Sequence, residues 1–229
     1  MNLTPVQSRV VGCLIEKEMA TPDNYPLTMN GLLAACNQTS NRNPVTKLDE
    51  ATVGNALANL RAMNVVRIVY SRSNRADKFR HVLDEMLAVE PEHLALLSVM
   101  LLRGPQTAGE LRARTERLHP FATQEEVDEG LRRLAGRSEP LVARVERRPG
   151  QKESRWAHLL GADLAEVLAG DDDDGGGDDN VPAETGRSSR VDRIAVLEDA
   201  VAGLRADLDR LGQAHRELVA RLGETGDDE

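Results

Sequence analysis

Asp49-Glu50-Ala51-Thr52-Val53-Gly54-Asn55-Ala56-Leu57-Ala58-Asn59-Leu60, followed by Val65-Val66-Arg67-Ile68-Val69-Tyr70 and by Lys78-Phe79-Arg80-His81-Val82, are the runs whose reading decides the fold. Asp49 is a helix N-cap, and Val53, Ala56, Leu57 and Leu60 recur at i, i+3, i+4 and i+7, the spacing of one buried helical face. The two later runs are rich in β-branched and aromatic residues and flank a polar, basic turn from Ser71 to Ala76, so they read as a hairpin. Upstream, Thr4-Pro5-Val6-Gln7 opens a first helix to about Met19, with Val6, Val10, Cys13 and Leu14 as its apolar face. Thr28 opens a second that ends near Cys36. Helices followed by a hairpin are the order of a winged helix-turn-helix, a fold that most often binds DNA.

The pattern then recurs. Shifted by 74 residues, Asp49, Val53, Leu57 and Leu60 fall on Thr123, Val127, Leu131 and Leu134. Shifted by 79, Thr28 and Leu32 fall on Thr107 and Leu111, and shifted by 77, Phe79 and His81 fall on Trp156 and His158. Thr107 with Glu110 and Thr123 with Glu126 have capping-box spacing. The sequence therefore predicts mainly α architecture with small β-hairpins (α+β): two tandem winged-helix domains at residues 1–84 and 85–160. The repeat and the junction at 84–90 predict a separate helical core for each copy. The drop from 79 to 74 gives copy one five extra residues in its 37–48 loop, Asn37-Gln38-Thr39-Ser40-Asn41-Arg42-Asn43-Pro44 onward. Its polarity makes it too costly to bury, and elaborated polar loops on a rigid scaffold are where binding residues concentrate.

Charge divides the chain. Residues 1–160 carry 22 Lys and Arg against 19 Asp and Glu, net +3, whereas residues 161–229 carry 7 against 19, net −12. Asp171 to Asp179, with the Gly175-Gly176-Gly177 run inside it, reads as a flexible acidic linker covering residues 161–189. The carboxylates lack the ligand spacing of a calcium loop. Within residues 190–223, Ile194, Leu197, Val201, Leu204, Leu208, Leu211, His215, Leu218 and Leu222 alternate steps of three and four, with Leu at every d position. That heptad seam predicts a parallel homodimer, the alternative being an amphipathic helix folded back on the domains. Residues 224–229 read as a disordered tail.

Candidate chemistry is confined to binding. Two cysteines, Cys13 and Cys36, fall on apolar helix faces and read as reduced core residues, and with five histidines they supply no zinc spacing. The glycine run at 175–177 lacks the Gly-Lys-Ser/Thr of a phosphate loop. No catalytic constellation, metal or cofactor is expected. No leader-like or membrane-length apolar run occurs, so a cytosolic location is expected. The nucleic-acid candidates are Asn37, Gln38, Ser40, Asn41 and Arg42 in the loop, Thr52, Asn55 and Asn59 on the third helix, and Arg72, Arg75 and Lys78 in the wing, with Arg67 and Arg80 beside them. Asparagine can read adenine and wing arginines can enter a minor groove. Copy two has Glu125, Glu126, Asp128 and Glu129 on its third helix, offset in part by Arg132, Arg133, Arg147, Arg148, Lys152 and Arg155, and suits a protein partner instead. A protein adaptor that binds no DNA is the competing reading.

Ile15-Glu16-Lys17-Glu18, Thr21-Pro22-Asp23-Asn24-Tyr25-Pro26-Leu27, Ala35-Cys36-Asn37-Gln38-Thr39-Ser40-Asn41-Arg42 and Phe79-Arg80-His81 together resemble the YceH family of bacterial proteins. The resemblance covers roughly residues 2–160 and implies tandem winged helices without implying a ligand or activity. Where that family usually has lysine this chain has Thr39, which removes one cation from the loop.

Overall fold

The computed structural model describes residues 1–70, 76–145 and 153–161. The acidic linker, the heptad positions Ile194 to Leu222, and Arg72, Arg75, Arg147, Arg148 and Lys152 lie outside the described residues. The described part is mixed α and β: seven α-helices and two small antiparallel sheets.

Copy one comprises α1 (Pro5–Ala20), β1 (Leu27–Thr28), α2 (Met29–Cys36), α3 (Glu50–Ala62), β2 (Val66–Val69) and β3 (Lys78–His81). Its sheet order is β1-β3-β2. The caps read from sequence are formed. Thr4 and Gln7 exchange a capping box, Thr28 Oγ1 accepts from Gly31 N at 3.2 Å, and Asp49 Oδ1 accepts from Thr52 N at 2.7 Å. A short helix, α4 (Leu83–Leu87), bridges to copy two and ends on Ala88 in the left-handed region at φ 47°.

Copy two comprises α5 (Pro91–Arg103), α6 (Ala108–Thr115), α7 (Gln124–Ala135), β4 (Val142–Val145) and β5 (Arg155–His158). The repeat holds at the level of single hydrogen bonds. Leu27 pairs with Phe79 in copy one, and Gln106 pairs with Trp156 at the matching shifts. Val65 N donates to Leu60 O at 2.9 Å, and Leu141 N donates to Leu134 O at 3.1 Å. Thr107 and Glu110 form a full capping box, whereas at α7 Thr123 accepts from Glu126 N but the Glu126 carboxylate turns back to Ala122 N.

Separate cores are not what the chain builds, and that expectation is corrected here. Buried side chains of both copies form one continuous cluster. Every residue from Gln7 to Glu16 on α1, and from His93 to Leu102 on α5, is buried, because the two helices pack on each other at the centre while their own domains cover their remaining faces. Pro5 and Pro91 lie 86 positions apart, and that shift carries Gly12 onto Ser98. These two equivalent residues touch: Ser98 Oγ donates to Gly12 O at 3.2 Å. Gly12 is required by closeness, since a Cβ there would lie 2.9 Å from Leu102 Cγ and Cδ2. Leu3 N donates to Leu160 O at 2.8 Å, tying the start of copy one to the end of copy two.

Candidate nucleic-acid interface

Helix α3 buries Val53, Ala56, Leu57 and Leu60 and leaves the opposite face in solvent. Asn55 and Asn59 are exposed there one turn apart, flanked by exposed Ala51, Ala58 and Ala62, with Thr52 half-buried at the edge. Side chains this short let a helix backbone approach a surface closely while two amides remain available for hydrogen bonds. The acids sit only at the start: Asp49, whose carboxyl is held below its usual range by hydrogen bonds from Thr52, and Glu50. Negative charge at that end complements the helix dipole. Asn64 at φ 58° then turns the chain into β2. In the hairpin, half-buried Lys78 closes the ladder opposite Val69. Arg67 and Arg80 share Glu85, at 3.3 and 2.9 Å, in pairs exposed enough to be worth little, so a phosphate could displace Glu85 at small cost.

The 37–48 loop behaves differently from the expectation that it was too polar to bury. Arg42 is buried, and its guanidinium side chain is 0% exposed. Nη1 and Nη2 donate to Glu16 Oε1 and Oε2 at 3.0 and 2.7 Å, Nε donates to Ala35 O at 3.0 Å, and Gln38 Oε1 accepts from Nη2 at 2.9 Å. Burial pushes the Glu16 carboxyl up, but the two bonds and the charge of Arg42, with Lys17 adding to them, hold it below the carboxylate range. Asn37 is committed as well: Nδ2 donates to Leu48 O and Oδ1 accepts from Leu48 N, closing the loop on itself. Arg42 and Asn37 are therefore structural, and Gln38 is shared between Arg42 and Lys17 Nζ. Asn41, at φ 59°, turns the backbone so that Arg42 points inward. Its Oδ1 accepts from Arg103, and Asn43 N donates to Leu102 O at the end of α5. Of the loop candidates, Ser40 and Asn41 remain at the surface.

The loop thus fastens copy one to copy two, and the residues missed from sequence are Glu16, Arg9 and Arg103. Arg9, also buried, donates to Cys36 O and Pro44 O at 3.3 and 2.6 Å. Cys13 and Cys36 are free and buried; a hydrogen bond with Cys13, and then burial, push the Cys36 thiol up. Two residues beyond Glu16, Glu18 lies 2.5 Å from Nε2 of buried His81. His81 Nδ1 accepts from Leu83 N, and His81 N donates to the Tyr25 hydroxyl at 2.8 Å. The aromatic neighbour of His81 is Tyr25, its ring tilted by 52° and centred 6.3 Å away. Burial, then the Glu18 charge, push the Tyr25 hydroxyl well above its ordinary value.

Copy two presents a different face at the equivalent helix. Glu125, Glu126 and Glu129 are exposed on α7, with Arg133 spent on Glu129 at 2.5 Å. Among the described residues no group of three or more His, Cys, Asp and Glu is placed to hold a metal. Nor is any helix among them long and apolar enough to cross a membrane.

Residues 3–151 match the family described as a protein of unknown function, DUF480. The chain belongs to the DUF480 family. A UPF0502 protein of Pelobacter propionicus is 48% identical over 208 residues, spanning 91% of this chain and 92% of its own. One of Geobacter sulfurreducens is 49% identical over 205 residues, spanning 88% and 90%. A third, of Pseudoalteromonas atlantica, is 40% identical over 229 residues, spanning 96% and 99%. These alignments are too long to end at residue 160, so the similarity runs on into the C-terminal segment. The DUF480 match takes in the whole α1–loop fastening and the α3 face, in keeping with the four motifs that carried the YceH resemblance. Those motifs, scattered from Ile15 to His81, meet through Glu16–Arg42, Lys17–Gln38, Glu18–His81 and Tyr25–His81.

Proposed function

We propose that this DUF480 protein is a non-enzymatic cytosolic DNA-binding protein with two tandem winged helices, in which copy one reads DNA and copy two positions it. The observation that carries this reading is the exposed α3 face, where Asn55 and Asn59 stand among alanines with no acid beyond the first turn. The element order α1, β1, α2, α3, β2, β3 with sheet order β1-β3-β2 supports the winged-helix assignment. Asn55 and Asn59 are suited to the N6 and N7 of adenine in a major groove, and Arg72, Arg75 and Lys78 to phosphates or a minor groove. The seam from Ile194 to Leu222 would supply a second copy of the chain and so a second half-site.

A fluorescence-anisotropy titration of the full chain on mixed genomic fragments tests the reading. Arg72, Arg75 and Lys78 as phosphate contacts give a log–log salt slope of about −3 per protomer, with Arg42 excluded by burial. No binding at low salt would contradict it. Light scattering on the full chain and on a truncation after Gly170 tests the dimer, and equal monomer masses would refute it. The acidic α7 face favours a second reading, a protein adaptor with a basic partner, which gains ground if no DNA is bound.

A further inference from the structure

Aromatic side chains are scarce in this chain, five in all, and four of them are packed: Phe79 and Phe121 are buried, Tyr25 and Trp156 half-buried. The fifth, Tyr70, is 78% exposed, the largest exposure among the large hydrophobic side chains described. Its place in the hairpin explains the exposure. Along β2, Val66 and Ile68 turn toward the core, and strand alternation puts Tyr70 on the same side. The ladder ends one residue earlier, at Val69 opposite Lys78, and β2 is the edge strand of its sheet. The ring stands past the last pair, exposed among the described residues.

What the ring could stack on follows from its setting. Residues 65–85 hold Arg67, Arg72, Arg75, Lys78 and Arg80 against Asp77, Asp84 and Glu85, the last shared by Arg67 and Arg80 in exposed pairs, which leaves a net positive setting that attracts phosphate chains. An aromatic platform among cations stacks on the π-face of a base, and does so without regard to sequence. Inside a duplex every base already has a neighbour on each face, and insertion must first unstack a step. An unpaired base carries no such penalty.

We infer that Tyr70 is a stacking platform for an unpaired base, so that the ligand of copy one is duplex DNA bordering a single strand. This rests on the DNA-binding reading and adds the ligand's form: α3 takes the duplex, and the hairpin takes the first base beyond it. Because Tyr70 is exposed, replacing it removes the platform without opening the core.

The test compares a labelled blunt duplex with the same duplex carrying a single-stranded extension, titrated with the full chain, with Tyr70→Ala and with Tyr70→Phe. The extended duplex should bind about tenfold more tightly, within the range that alanine substitution reveals for base–aromatic stacking. Tyr70→Ala should abolish that advantage and leave blunt-duplex affinity unchanged, while Tyr70→Phe should retain it. Three results overturn the inference with DNA binding intact: equal affinity of the unaltered chain for both duplexes, an advantage that survives Tyr70→Ala, or a loss falling equally on both, which would make Tyr70 a duplex contact. Failure to bind either duplex overturns the DNA reading, returns Tyr70 to a protein-contact role, and ends this inference with it.

Discussion

Copies one and two share caps, register and core positions, yet they differ wherever a side chain is not needed for packing. At the third helix, copy one shows Asn55 and Asn59 to solvent where copy two shows Glu125, Glu126 and Glu129. At the first helix, the shift of 86 sets buried Glu16 against buried Leu102. Copy two fills that place with hydrocarbon, whereas copy one fills it with a carboxylate that requires Arg42. Copy one also carries seven more residues before its second helix and five more after it, judged from Pro5 and Pro91, Thr28 and Thr107, and Asp49 and Thr123. The second addition is anchored on the shared first helix, since the end of α1 and the 37–48 loop are joined by Glu16–Arg42 and Lys17–Gln38. The lesson is that a duplicated scaffold acquires new polar structure as mutually satisfied pairs, because an added buried charge on its own would be destabilising.

The sharpest way to break this comparison is Arg42→Ala, which strands Glu16 in the interior. Losing one partner of a buried ion pair costs about 3–5 kcal/mol, read by denaturant unfolding, and the double change Arg42→Met with Glu16→Leu should recover most of it. If Arg42→Ala left stability intact and weakened DNA binding instead, the loop would be a recognition surface after all.

The two equivalent histidines give the next test. His81 and the half-buried His158 each leave one ring nitrogen without a hydrogen bond, Nε2 and Nδ1, but the Glu18 carboxylate lies beside the first whereas burial alone acts on His158 and pulls its pKa down to about 4. A histidine depressed in the folded state takes up its proton first in the unfolded chain. Its contribution is therefore fully present above the unfolded value near 6.5 and is lost as pH falls toward 4, by up to about 3 kcal/mol. His158→Leu should flatten that part of the pH–stability curve, and an unchanged slope would contradict the assignment. Smaller still is Gly12→Val, expected to cost about 1–3 kcal/mol by overpacking against Leu102. Because α1 and α5 share one core, hydrogen exchange should rise in both copies, and a rise confined to copy one would restore the idea of independent cores.

Much of the scaffold was legible in sequence because helix caps and apolar periodicity are local signals: Asp49, Thr107 and the Val53–Leu60 face were read directly. The centre was not legible. Gln7, Ser8 and Arg9 are polar yet buried, Arg9 because the end of α2 and the 37–48 loop cover it through Cys36 O and Pro44 O. Two-residue β1 is too short to alternate, and α4 has no periodic face. In the candidate site, the exposure of Asn55 and Asn59 follows from helix phase alone. The fate of Arg42 depends on a carboxylate 26 residues away, and no local pattern encodes that distance. The one available sign was that Glu16 and Arg42 both lie in motifs of the family resemblance.

The measurement that tests the account most directly is the salt dependence of DNA binding for paired charge removals in the two copies. Arg72→Ala with Arg75→Ala should weaken binding to all sequences alike and flatten the log–log slope by about 2, because two phosphate contacts are lost. Arg147→Ala with Arg148→Ala, between β4 and β5 of copy two, should leave slope and affinity nearly unchanged. The reverse outcome, with binding insensitive to the first pair and abolished by the second, would contradict the assignment of DNA to copy one.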